Sequence, residues 1–210
     1  MYDFLMNGGP IMYPLLGCSV LVLFVVIERL VFWFTVKMHR DRQLLDEVLE
    51  LCRQGNWEAV RERVRDSRDY IIKILVAGIL HRDFSLGKAM EAAAADQIKR
   101  MQRFMGVLDT MITVAPLLGI LGTVIGIINS FEMLGAAGIE DPKAVTAGIA
   151  QALITTATGL AIAIFSVFPY NYFNSRIDKA THIIEKYATS LEIVYEKLLK
   201  KDETEPEQGS

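Results

Sequence analysis

The sequence predicts an all-α membrane protein with three transmembrane helices, two of them extended far into the cytoplasm. Three observations carry this expectation. Apolar residues make up 52% of the 210 positions, and they gather in three uncharged blocks instead of scattering as in a soluble core. The blocks run from Phe4 to Ile27, Thr110 to Phe131 and Ala144 to Ser175, and each meets the ~20 residues a helix needs to cross roughly 30 Å of hydrocarbon. Elsewhere apolar residues recur every three or four positions, the period of a helix with one covered face.

The first span, residues 10–36, follows a short periplasmic segment, 1–9. It is read as a retained anchor because Asp3 precedes it, no basic residue does, and no small-residue cleavage site follows. Its uncharged run stops at Glu28 and Arg29. Residues 37–106 read as a cytoplasmic helical region. Leu44, Val48 and Leu51 form one apolar stripe, and Gly55 with Asn56 supplies a stop and a start before Trp57, Val60 and Val64. Ser85 is the expected N-cap of a helix carrying Met90, Ala94, Ile98, Met101 and Met105. With no Gly or Pro before Gly106, that helix is expected to run on into the second span, residues 107–134. Pro116 is expected to kink it and free a carbonyl.

A periplasmic loop, 135–144, leads to the third span, 145–173, which continues as a cytoplasmic helix, 174–201, before a disordered acidic tail, 202–210. Ile177, Ala180, Ile184, Tyr187, Leu191, Val194 and Leu198 form a bundle seam, and the same spacing leads back through Phe173, Tyr170, Ser166 and Ala163 into the span.

Basic residues orient the chain. Fourteen of the 22 Lys and Arg lie between Lys37 and Arg103, six more follow the third block, and Lys143 alone lies between blocks two and three. By the positive-inside rule the N-terminus is periplasmic and the C-terminus cytoplasmic. The net charge of -3, with acids and bases interleaved, gives no footprint for nucleic acid. Cys18 belongs to a span and Cys52 to the cytoplasmic region, an unsuitable pair for a disulfide or a metal.

Small and hydroxyl residues mark single faces of the second and third spans. Gly119, Gly122 and Gly126 share one face, with Thr123 beside them and Ser130 a turn further; Gly148, Ala152, Thr155, Thr156 and Gly159 make the matching strip. Two such faces are not easily satisfied inside one copy, which predicts self-association into a ring. The threonines either return their hydrogen bonds to their own helices or line a path for ions or water. A carboxylate at mid-membrane is costly and appears where it is used, yet Glu28, Asp109 and Glu132 all sit near the interface. If ions cross, the titrating group arrives on another chain.

The segments APLLGILGTVIGIINSF, Ala115 to Phe131, and GIAQALITTATGLAIAI, Gly148 to Ile164, resemble the signature of the MotA/TolQ/ExbB proton-channel family. Three spans favour its ExbB/TolQ branch, and the pairs Glu28–Arg29 and Tyr170–Asn171 are also similar to it. The resemblance covers about Pro10 to Leu199, the cytoplasmic insertion by length and helical character only. It implies a homopentamer around a central pore in the bacterial inner membrane, with no enzymatic activity and no cofactor. The pore would hold two ExbD- or TolR-like single-span subunits, whose Asp carries H+ (Na+ being the less favoured ion) past Thr123 and Thr156. Gln151 and Thr155 would join that lining, Pro116 and the small residues would pack the wall, and Glu28, Arg29 and Asp109 would mark the cytoplasmic interface. Work would pass to a TonB- or TolA-like protein. The chain departs from the pattern at Gln151, where ExbB and TolQ have Glu, and at Phe165, where they have Pro. The alternative is a non-conducting scaffold that docks a cytoplasmic partner through Lys37 to Met105; a solute transporter is weakened by the absence of inverted repeats and of mid-membrane charge.

Overall fold

The computed structural model describes residues 9–137 and 142–204. The expectations for residues 1–8, for residues 138–141 of the loop and for the tail beyond Thr204 lie outside them. The order is α1 Met12–Met38, α2 Arg42–Arg53, α3 Trp57–Val64, α4 Tyr70–Leu80, α5 Arg82–Met101, α6 Met105–Ala137 and α7 Pro142–Thr204. Three of these helices, α1, α6 and α7, are long and apolar enough to cross a membrane, and this is a membrane protein. The chain divides into two compact units, one of residues 1–29 and 104–173, the other of 30–103 and 174–210.

In the first unit, α1 buries Met12, Leu15, Cys18, Val22, Val25 and Arg29, a stripe at spacings of three and four. Opposite that stripe, Tyr13, Val20, Leu23, Phe24 and Ile27 are exposed, as a lipid-facing surface requires. Helix α7 buries Ala152, Thr155, Ile162, Ala163, Ser166 and Phe173 on its way through this unit. The buried polar groups return their bonds to their own helix: Ser166 donates to the Ile162 carbonyl at 2.7 Å and Ser130 to that of Gly126 at 2.8 Å.

In the second unit the short helices are set by their caps. Asp41 accepts from the amide of Leu44, Asn56 from that of Ala59 and Asp69 from that of Ile71. Gly55, at φ +69°, makes the turn between α2 and α3. Asp69 is 1% exposed because its second oxygen accepts from the Asp41 amide, which ties the start of α2 to the start of α4. The buried stripe of α2 is Leu45, Val48 and Cys52; it keeps Val48 of the expected stripe, while Leu44 and Leu51 are half-buried at its flanks. Ile177, Ala180, Ile184, Leu191 and Val194 of α7 are buried here, along the seam read from the sequence.

One expected continuity fails. Helix α5 ends at Met101, residues 102–104 form a turn, and α6 starts afresh at Met105. Phe104 adopts φ 63°, in the left-handed region that disfavours an L side chain. Its ring meets Phe24 edge-on at 6.3 Å and lies 6.0 Å beneath the Arg29 guanidinium, so tertiary contacts accompany the break that local sequence does not signal. Of the two predicted extensions, therefore, only the one that follows the third span is continuous helix. Ser85 stands at an extended backbone conformation inside α5, at the expected helix start.

Candidate functional site

Glycine and alanine let α6 and α7 approach until backbone meets backbone. A Cβ added at Gly119 would stand 3.0 Å from the carbonyl oxygen of Thr155 and from Cα of Thr156, and one at Gly126 would stand 2.8 Å from Cβ of Ala152. Gly122 receives the Thr155 side chain, Gly159 lies against the carbonyl of Ala115, and Gly148 against the hydroxyl of Ser130. Partners ascend α6 as they descend α7, the register of an antiparallel pair. The two strips therefore cover one another inside a single chain. This corrects the expectation that they need a neighbouring copy: periodicity identifies the face, and the complementary face was already present on the next helix.

At the centre of this seam the hydroxyls converge on one acceptor. Thr123 and Thr156 donate to the Gly119 carbonyl at 3.1 and 3.0 Å, and their two Oγ1 atoms are in direct contact. Thr123 also lies 3.4 Å from the Ala152 carbonyl. Each hydroxyl has one proton and two lone pairs. When one donates to Gly119 and the other to its neighbour, lone pairs remain free to accept a further proton donor. Both threonines are half-buried, at the edge of the seam. Thr155 is more deeply buried: it is 1% exposed, packed on Gly122, and donates to the Ala152 carbonyl at 2.7 Å, with the Gly119 carbonyl at 3.5 Å.

The remaining predicted residues are dispersed. The Gln151 amide lies against Gly9, itself at φ +70°; at 100° per residue, Gln151 points about 140° around α7 from Thr156. Pro116 is half-buried within α6, one turn before Gly119 and Ile120. Asp109 is exposed in the first turns of α6, where its carbonyl accepts from Thr113. Glu28 and Arg29 form a two-pronged ion pair at 2.5 and 2.7 Å, and Arg29 is 1% exposed, among the largest fully buried side chains of the chain. The sequence reading placed this arginine at the interface without its burial or its stacking on Phe104, and missed Phe104 altogether. Among the described residues no group of three or more His, Cys, Asp or Glu is placed to hold a metal ion.

The arrangement is a tight antiparallel helix pair carrying a hydroxyl pair and, from Thr110 to Phe131, no charge. It can solvate a proton carrier but has none of its own at that depth. Comparison with known proteins agrees with the motifs. Residues 67–186 match the model of the MotA/TolQ/ExbB proton channel family. A Synechocystis protein named as ExbB-like 3 is 32% identical over 197 residues, 90% of this chain and 92% of its own. The biopolymer transport protein ExbB of Xanthomonas campestris is 36% identical over 110 residues, 52% of this chain and 42% of its own. The Tol-Pal system protein TolQ of Pseudomonas aeruginosa is 36% identical over 104 residues, 50% of this chain and 44% of its own. The chain belongs to the MotA/TolQ/ExbB proton channel family, in its ExbB/TolQ branch.

Proposed function

We propose that this chain is the channel-wall subunit of a proton-driven motor in the bacterial inner membrane. Five copies surround two single-span helices of an ExbD- or TolR-like partner, and the Asp on those helices is the group that titrates. The N-terminus is periplasmic and the C-terminus cytoplasmic, in keeping with the basic residues of 37–103 and 176–201. H+ is the ion, with Na+ the less favoured one, and the work passes to a TonB- or TolA-like protein. The subunit itself performs no enzymatic step and holds no cofactor.

The observation that carries this reading is the Thr123–Thr156 hydroxyl pair on the Gly119 carbonyl. Hydroxyls accept from a protonated carboxyl and donate to an ionised one, so the pair serves both states of a passing Asp without changing charge itself. Gln151 is then compatible with activity, because a neutral amide against Gly9 is remote from that exchange.

Co-expression with the partner provides the test. Thr156→Val and Thr123→Val keep the shape and remove the hydroxyl; we expect the complex to copurify intact while proton-dependent work is lost. Undiminished work in both variants would contradict the assignment. A non-conducting scaffold predicts that outcome, together with damage only from bulky residues at Gly122 or Gly159.

A further inference from the structure

Carboxylates are few in the first unit, and one of them shares a face with the hydroxyl pair. Among the described residues of that unit they are Glu28, Asp109 and Glu132. Glu28 is committed to Arg29 by both oxygens, at 2.5 and 2.7 Å. The other two lie towards opposite ends of α6. At 100° per residue, Glu132 is about 180° round that helix from Thr123, whereas Asp109 is about 40° from it. Asp109 is exposed, and among the described residues its carboxylate has no hydrogen bond or ion pair.

Pro116 lies between Asp109 and Thr123 yet does not shift the phase. Met105, Leu108, Ala115, Gly119, Gly122 and Gly126 are all buried, one stripe at spacings of three, four and seven that passes Pro116 unbroken. Asp109, Thr113 and Ile120 are exposed beside it, within about 40° of one another. The row that leads from the hydroxyl pair towards the start of α6 therefore reaches a carboxylate, about 21 Å along the axis at 1.5 Å per residue. On that row the Thr113 hydroxyl donates to the main-chain carbonyl of Asp109 at 3.5 Å, which leaves both carboxylate oxygens open. An acid in the first turns also suits the positive end of the helix dipole. That role sets no requirement on the face, so it does not account for the alignment with Thr123.

We infer that Asp109 is the group that takes protons off the path at its cytoplasmic mouth. The inference rests on the proton-channel reading above. The partner's carboxyl loses its O–H proton beside Thr123 and Thr156, water carries the proton down α6, and an O–H bond forms on the Asp109 carboxylate. That bond breaks as cytoplasmic water takes the proton, and Asp109 returns to its charged form. In the assembly of several copies these carboxylates ring the mouth, as acidic rings do in cation channels. A mouth lined by one sign of charge raises the local concentration of the opposite ion by about tenfold or more.

The test measures proton flux, driven by a pH step and reported by an internal dye, in liposomes holding the complex with the Asp-bearing partner. We expect Asp109→Asn to lower flux about tenfold, Asp109→Glu to restore most of it, and Glu132→Gln to leave it unchanged. A charge in a merely structural role cannot be replaced from solution. We therefore also expect the impermeant buffer MES, raised from low to high millimolar with rates corrected for its buffering capacity, to recover flux in Asp109→Asn, because a mobile acid–base pair replaces the missing carboxylate. Equal flux in Asp109→Asn and the unaltered complex would overturn the inference and leave the channel reading standing. So would a loss that neither Asp109→Glu nor the buffer restores, since the charge would then act only at the helix end. An unaltered complex without flux would overturn the channel reading, and this inference with it.

Discussion

Thr123 and Thr156 share the Gly119 carbonyl, and a shared acceptor makes each hydroxyl's bonding depend on the other's. Thr155, one residue away, has its own acceptor at 2.7 Å and a place beneath Gly122. Sequence alone marked all three alike, because a Thr in a small-residue face looks the same whatever its hydroxyl bonds to. Thr156→Ser is expected to retain most proton-dependent work where Thr156→Val does not, measured in the co-expressed complex; equal loss in both would mean that the methyl, not the hydroxyl, matters. Cys52 gives a residue-scale prediction in the second unit. It is fully buried, and burial pushes its thiol from 9.0 up to about 11. The unfolded chain loses this proton near pH 9 and the folded chain near 11, so its contribution to stability is complete below pH 9 and declines as pH rises through that window. Iodoacetamide at pH 9 should modify Cys52 far more slowly in the folded chain than after denaturation, by peptide mass spectrometry. Equal rates would show an accessible thiolate.

The elements were legible where local chemistry decides them. Three uncharged blocks gave three spans, Gly55 and Asn56 gave the α2–α3 corner, and the three-four spacing from Ile177 to Val194 gave the buried side of α7. The break between α5 and α6 was not legible, since Met101 and Met105 keep helical spacing across it and no Gly or Pro intervenes. Its visible correlates are Phe24 and Arg29, more than seventy positions earlier in the chain. Phe104→Gly, which suits the left-handed conformation, is expected to fold; Phe104→Val should be less stable than Phe104→Gly by about 1–2 kcal/mol, read from thermal unfolding in detergent. Comparable stability would mean that the turn does not depend on residue 104. For the seam, Gly159→Ala places a methyl on the Ala115 carbonyl, backbone that cannot swing aside as a side chain tip would. The expected cost is about 1–3 kcal/mol in the same assay, and no loss would mean that α6 and α7 lie further apart.

At the scale of the whole molecule, small residues bring α6 and α7 together and the hydroxyl pair forms where they meet, but no charged group accompanies it from Thr110 to Phe131. Under the proposed function, the partner subunit supplies the proton carrier that this stretch lacks. The family was legible in the sequence because Ala115 to Phe131 and Gly148 to Ile164 hold the two halves of the seam. That these halves close on each other within one copy was not, because a sequence shows which residues share a face and not which face receives them. The most direct test is proton flux into liposomes, driven by a pH step and followed with an internal dye, for this chain alone, for its complex with an Asp-bearing ExbD- or TolR-like partner, and for the same complex with Thr123→Val and Thr156→Val together. The account predicts flux only in the unaltered complex. Flux through the chain alone, or undiminished flux in the doubly substituted complex, would contradict it.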